Sequence, residues 1–197
     1  FTLAKNFHTI TEFGLGASGI YFIKKKKKDR VKIIENAFLF SLVIGLFLSI
    51  IIFLFRNKIS YFLSDYHSIY LLLLVIVIPF ITISAIFSSL LRGLDNFKDF
   101  NFFLILKPLL FLFFIFIFLL IYEGDVLSAV IGQVSSIIIV GIWLIIKIKK
   151  IIPFKIAFHS DIFIDNIKYG IKHHIMKIIL MFMVTFPIYI LKILTSE

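Results

Sequence analysis

The sequence predicts an all-α fold, that of a polytopic membrane protein with six transmembrane helices. Hydrophobic residues make up 61% of the chain, charged residues make up only 16%, and the mean hydropathy is +1.10. The apolar residues come in blocks of about twenty, the length of a membrane-spanning helix, and not in the alternation typical of strands. The basic residues lie between these blocks, where they determine topology, so the net charge of +10 does not indicate a nucleic-acid partner.

Six apolar blocks are long enough to cross a bilayer as helices. In chain order they are 1–23, 33–55, 68–91, 100–122, 126–146 and 175–194. Pro79 lies inside the third span and predicts a kink there. Only the segment Glu123–Asp125 separates the fourth span from the fifth, which predicts a tight antiparallel hairpin.

A longer basic segment, residues 147–174, precedes the last span. We expect it to include a helix that lies in the membrane interface and begins at Ser160 or Asp161 as its N-cap. The apolar residues of that helix, which are Ile162, Phe163 and Ile167, are expected to face lipid.

The distribution of basic residues predicts the orientation. Loops 24–32, 92–99 and 147–174 carry seven, two and six Lys or Arg residues, whereas the other two loops carry two and none. Because cytoplasmic loops are enriched in Lys and Arg, these three loops are predicted to be cytoplasmic. The chain would then start at the outer face without an initiator Met, which predicts that it is a fragment of a longer protein. The run Lys24–Lys28 is a topology anchor, and anionic membrane lipids are its alternative partner.

The first span is apolar on most of its surface but carries a polar stripe. At about 100° per residue, Lys5, His8, Thr9 and Glu12 fall on one side of a continuous helix. Such a stripe must face water or other protein, so we expect the later helices to pack around this one. At a rise of about 1.5 Å per residue from Ile23, Glu12 would lie close to the middle of the bilayer.

No pattern of catalytic or metal-binding residues is found in the chain. It has no HExxH motif, no pair of carboxylates beside a plausible cleft and no cysteine. His173 and His174 lack acidic partners at ligand spacing, and we interpret them as interfacial residues at the edge of the last span. The sequence therefore predicts a protein that is not an enzyme, with no cofactor and no metal site.

Three stretches resemble one known family. They are FGLGASGIYFI at the end of the first span, LLRGLDNFKDFNFF at Leu90–Phe103, and NIKYGIKHH at Asn166–His174. With the loop lengths and the charge placement, they make the chain similar to the polysaccharide biosynthesis flippases. These are O-antigen-type exporters within the multidrug/oligosaccharidyl-lipid/polysaccharide exporter superfamily.

The resemblance implies a fold of two lobes related by a pseudo-twofold axis. Residues 1–150 would then form most of the N-terminal lobe with five helices, and residues 151–174 the cytoplasmic linker. Residues 175–197 would form the first helix of the second lobe, and the rest of that lobe would be missing.

The resemblance also implies a function, which is the flipping of a lipid-linked oligosaccharide by alternating access. The substrate would be a glycan on undecaprenyl pyrophosphate, moved across the inner membrane for surface polysaccharide such as lipopolysaccharide. The alternatives are a multidrug exporter of the same superfamily and a membrane-embedded glycan transferase or polymerase.

The flippase interpretation assigns roles to the polar residues within the spans. Lys5, His8, Thr9, Glu12 and Lys107 are expected to line the translocation cavity, and Lys5 would attract diphosphate near the outer mouth. Glu12 is the candidate for coupling to a proton or another cation, although a neutral Glu12 that only joins two helices is the alternative. Lys107 lies near the inner boundary of its span, where snorkelling to the interface is also open.

Overall fold

The computed structural model describes residues 12–25, 29–62, 68–122 and 126–195 of the chain. These residues form helices and connecting turns, with no strand among them, which confirms the all-α fold class. In chain order the helices are α1 (Leu15–Lys25), α2 (Arg30–Phe62), α3 (Ser68–Gly93), α4 (Phe97–Tyr122), α5 (Val126–Ile151) and α6 (Ser160–Thr195). Within the described residues, α2 to α5 each contain a segment long and apolar enough to cross a membrane, which confirms a polytopic membrane protein.

Helix α3 is central to the packing, because it contacts α1, α2, α4 and α5. Every residue from Ile81 to Leu91 is buried, and the aromatic ring of Phe87 is fully buried. Small side chains recur in this segment, and they allow neighbouring helices to approach closely on several sides. The first span was expected to be the centre of packing, but the described part of it, α1, contacts only α2, α3 and α6.

Helices α4 and α5 pack against each other, as the predicted hairpin requires. Gly132 of α5 lies against the backbone of α4, where a Cβ atom would come within 3.2 Å of the Ile115 nitrogen. Gly141 of α5 packs on the ring of Phe80 in α3, at 3.0 Å from the position of a Cβ atom. Helix α5 therefore contacts α3 and α4 on different faces, and most of the apolar surface of α4 remains exposed, as expected for a helix in contact with lipid.

The first predicted span, residues 1–23, is interrupted by a turn and is not one continuous helix. Glu12–Gly14 form a turn, and α1 begins only at Leu15. Phe13 and Gly14 have φ angles of 44° and 70°, in the left-handed region that a right-handed helix excludes. The depth inferred for Glu12 from a regular helical rise therefore does not hold, and residues 1–11 lie outside the described residues.

Helix α6 combines two predicted elements into one. It begins at Ser160, as expected, but continues without a break to Thr195, so the interfacial helix and the last span are a single helix. The prediction that its first turns face lipid is wrong. Ile162 is buried in the core, and Phe163 and Ile167 pack against the same core, because α6 folds back onto α1 and α2.

The turn between α3 and α4 is capped by the side chain of Asn96. The side-chain oxygen of Asn96 accepts a hydrogen bond from the backbone N–H of Asp99 at 3.1 Å, the geometry of an N-cap. Asp95 has a φ of 58° and pairs with Lys24 of α1 at 2.9 Å. Asp99 pairs with Lys147 of α5 at 3.1 Å. The connection between α3 and α4 is therefore joined by ion pairs to α1 on one side and to α5 on the other.

The connection from α5 to α6 is anchored to α2. The carboxylate of Glu35 accepts a hydrogen bond from the backbone N–H of Lys155 at 2.9 Å and contacts the His159 ring nitrogen Nε2 at 2.7 Å. The side-chain amide of Asn36 donates to the His159 carbonyl and accepts from the His159 N–H, at 2.9 Å and 2.8 Å. These bonds determine where α6 begins and therefore which of its residues reach α1.

Candidate functional site

A cavity of about 340 Å³ lies between the turn at Glu12, which precedes α1, and helices α3, α4, α5 and α6. Its lining combines apolar side chains with several charged and several hydroxyl-bearing side chains, which is unusual for the inside of a membrane protein. The charged side chains are Glu12, Arg92, Lys107 and Lys177, and the hydroxyls belong to Ser84, Ser88 and Ser89. Glu12 is the only carboxylate among the described lining residues, so cations outnumber it three to one.

Glu12 is held at the junction of three helices. It is 2% exposed, and its Oε2 atom accepts a hydrogen bond from the ammonium group of Lys177 in α6. Its other oxygen, Oε1, lies over Gly16, where a Cβ atom would come within 2.1 Å of it. The same Cβ atom would lie 2.8 Å from the hydroxyl of Ser89 in α3. The missing side chain of Gly16 therefore leaves the space that this carboxylate fills.

The turn that presents Glu12 is stabilised by contacts with α6. The ring of Phe13 stacks on the imidazole of His174, with ring centroids 5.0 Å apart and planes inclined by 17°. Gly14 packs directly on Gly170, because a Cβ atom on Gly14 would lie 1.9 Å from the Gly170 carbonyl oxygen. Non-helical backbone within a membrane protein is tolerated where it is buried in protein or lines a cavity, and this turn meets both conditions.

Two further cations line the cavity from α3 and α4. The guanidinium of Arg92 donates a hydrogen bond to the Ser89 hydroxyl at 3.0 Å and lies over the ring of Phe100, 5.0 Å from its centroid. Lys107 lines the same cavity from α4, two turns after Phe100. Arg92 is thus held in a defined position by a hydrogen bond and a cation–π contact.

The hydroxyl of Ser84 is a polar group available in the cavity. Its oxygen is buried and has no hydrogen-bond partner among the described residues. Ser88 and Ser89 differ, since their hydroxyls donate to the carbonyl of Ala85 at 3.2 Å and 3.4 Å. A buried hydroxyl without a partner is costly, so a ligand that binds Ser84 would relieve that cost.

The structure brings together some of the predicted site residues and adds others. Glu12 and Lys107 line one cavity, whereas Lys5, His8 and Thr9 lie outside the described residues and stay predictions. Sequence reasoning missed Lys177, although a lysine inside the predicted last span was itself a signal.

Arg92 and His174 lie in other environments than the sequence predicted. The sequence placed Arg92 in a loop, but it is the penultimate residue of α3 and lines the cavity. His174 was expected at the membrane interface, but it is 6% exposed because Phe13 covers its ring. The position of His174 depends on the turn at Glu12–Gly14, whose Phe13 stacks on its ring, and that of Arg92 depends on how far α3 continues, so neither follows from the local sequence.

Comparison with known proteins agrees with this architecture. The family model described as polysaccharide biosynthesis protein matches residues 1–197, the whole chain. No curated protein and no solved structure matches the chain significantly. Because the family match covers every helix described above, the chain belongs to the polysaccharide biosynthesis protein family, a family of flippase-like membrane transporters.

Proposed function

We propose that the protein flips a lipid-linked oligosaccharide, a glycan on undecaprenyl pyrophosphate, from the inner to the outer leaflet of the cytoplasmic membrane. The transported glycan is used for surface polysaccharide, and transport proceeds by alternating access. The observation that carries this proposal is the cationic, hydroxyl-lined cavity inside a shell of apolar helices. The family match supports the coarser statement, a membrane transporter related to polysaccharide synthesis.

The chemistry of the cavity suits a sugar diphosphate. A diphosphate needs cations and hydrogen-bond donors, and Arg92 and Lys107 supply both. The free hydroxyl of Ser84 is a donor and acceptor for a sugar hydroxyl or a phosphate oxygen. The apolar exterior of the helices leaves the polyprenyl chain in lipid while the polar head crosses inside the protein.

The charge of the cavity separates this function from multidrug export. A cavity that binds cationic drugs is expected to be acidic or aromatic. Here Glu12 is the only carboxylate among the described lining residues, and Lys177 already neutralises it. The excess positive charge therefore favours an anionic substrate.

We further propose a coupling residue, the orientation in the membrane and the division into lobes. Glu12 is the candidate for coupling transport to a proton or another cation, and Lys5, His8 and Thr9 extend the cavity toward the outer face. Loops 24–32, 92–99 and 147–174 are cytoplasmic, and the lysines of the first of these loops contact anionic lipids. Residues 1–150 form most of one lobe, and α6 leads into the second lobe.

Deletion of the complete gene tests the proposal. Lipid-linked glycan should accumulate in the cytoplasmic leaflet, with its synthesis intact and surface polysaccharide lost. Complementation with Arg92→Gln or Lys107→Gln should restore export at least tenfold less well than the wild-type gene. Lys98→Gln is the matched control, since Lys98 is an exposed cation of α4 outside the cavity lining.

The same experiment tests the enzymatic alternative. If the deletion strain never makes the lipid-linked intermediate, the protein is a transferase or polymerase of glycan assembly, and the flippase proposal is wrong.

A further inference from the structure

We infer that Lys177 is a substrate-binding residue whose charge is masked by Glu12 in the empty cavity. When substrate binds, Glu12 loses Lys177 as its partner and takes up a proton in its place. The inference rests on the proposed function and adds a residue and a coupling step to it. On binding, the ammonium of Lys177 leaves the carboxylate of Glu12 and pairs with a phosphate oxygen. The Glu12 carboxylate then takes up one proton from solvent, so substrate and proton bind together.

The two partners of the pair are unequally free to move. The side chain of Glu12 is 3% exposed, whereas that of Lys177 is 39% exposed. Glu12 is confined by its position in the turn and by the close contact of its Oε1 atom with Gly16. Lys177 has a long, flexible side chain. Its ammonium group donates the hydrogen bond to Glu12, and the residue also lines the cavity. Lys177 is therefore the partner that can turn toward a ligand.

The surroundings of Glu12 favour proton uptake once Lys177 leaves. A buried carboxylate without its counter-ion is costly and takes up a proton instead of remaining charged. Among the described residues, the other charged or titratable groups around it are His174 on α6, Arg92 on α3 and Lys107 on α4. A bound diphosphate would offset Arg92 and Lys107, because it brings negative charge into the same cavity.

The exchange also changes the contact between two helices. The pair joins the turn before α1 to α6 next to the stacked rings of Phe13 and His174 and the Gly14–Gly170 contact. When Lys177 binds phosphate, the ionic tie across this contact is lost while the ring stack remains. Occupancy of the cavity is thereby linked to how firmly α1 and α6 are held together.

Calorimetry on the purified full-length protein tests the exchange, with farnesyl diphosphate as the probe. Titrations at about pH 8, where the diphosphate is ionised, in two buffers with different ionisation enthalpies give the number of protons taken up. The wild-type protein should take up close to one proton per diphosphate bound. Glu12→Gln should bind at least as tightly as wild type and take up none, because Lys177 is then unmasked.

Variants at position 177 complete the test. Lys177→Gln should bind about tenfold more weakly, since one charge-assisted contact is lost. Lys172→Gln is the control, because Lys172 is an exposed lysine of α6 outside the cavity lining, and it should behave as wild type.

Three results would overturn the inference or the function beneath it. Binding without proton uptake by the wild-type protein contradicts the exchange but leaves the flippase function standing, and this result needs no variant to fold. If Glu12→Gln weakens diphosphate binding as much as Lys177→Gln does, the ion pair between the two residues is purely structural. Absence of diphosphate binding by the wild-type protein contradicts the proposed function itself.

Discussion

Glycine residues determine the environment of the buried carboxylate at the centre of the site. Gly16 leaves room for the carboxylate of Glu12, and Gly14 adopts a φ of 70° while its backbone touches Gly170. Alanine differs from glycine by only one methyl group, yet at these positions that group would collide with a carboxylate or with a backbone carbonyl. The site therefore depends on absent side chains as much as on charged ones.

Gly14→Ala should lower the yield and the melting temperature of the folded protein. The left-handed conformation costs a residue with a Cβ atom about 1–2 kcal/mol, and the collision with the Gly170 carbonyl adds to this cost. Gly19→Ala is the control, because Gly19 lies within the regular helix α1, and a Cβ atom there meets only the end of one side chain, that of Leu90, and no backbone atom. Thermal unfolding in detergent compares the two, and equal melting temperatures would contradict the role assigned to the turn.

Polar and aromatic groups carry much of the contact between α1 and α6, next to the cavity-lining pair of Glu12 and Lys177. Tyr21 of α1 stacks on Tyr169 of α6, with ring centroids 4.3 Å apart and planes inclined by 10°. Lys25 donates a hydrogen bond to the hydroxyl of Tyr21 at 2.8 Å, and this contact raises the pKa of Lys25. By contrast, α2 and α3 are joined along their length through a buried apolar core.

Cross-linking of α1 to α6 tests whether this contact must open during transport. Tyr21→Cys/Tyr169→Cys, joined by a short reducible bis-thiol reagent, should lose glycan export and regain it on reduction. Phe102→Cys/Trp143→Cys, which joins α4 to α5 across rings 5.4 Å apart, should tolerate the same reagent, since the proposed lobe division places both helices in one lobe. Export that survives the first cross-link would show that α1 and α6 move together.

The whole molecule consists of a central helix, α3, with its neighbours arranged around it and a largely apolar exterior. Exposed Leu, Ile and Phe side chains cover α2 and α4, as expected of surfaces in contact with lipid. The basic residues lie mainly at one set of loops, so charge and apolar surface together predict how the protein sits in the membrane.

Cysteine labelling tests this orientation. Single cysteines at Lys58 and Val126 should react with an impermeant thiol reagent in intact cells, whereas cysteines at Lys25 and Lys155 should react only after permeabilisation. These 197 residues contain no cysteine, so within them each signal has one source. Labelling of position 25 in intact cells would reverse the predicted topology.

Much of the fold was predictable from composition, because the membrane imposes a fixed length on each apolar segment. The spans corresponding to α2 to α5 follow from local residue patterns. The break at Glu12–Gly14 did not follow, since a glycine near a helix end is compatible with both a helix and a turn. The course of α6 was also unpredictable, because Ile162 has the same apolar character whether it faces lipid or a protein core.

The sequence by itself determined that this is a helical membrane protein with several apolar segments long enough to span, and which family it resembles. Those properties depend on hydropathy, segment length and local motifs, which are additive along the chain. Only the tertiary structure decided that Glu12 pairs with Lys177, 165 positions away, and that Arg92 and Lys107 share their cavity. The physical reason is that a buried charge is stable only beside its partner, and the partner is chosen by helix packing and not by spacing in the sequence.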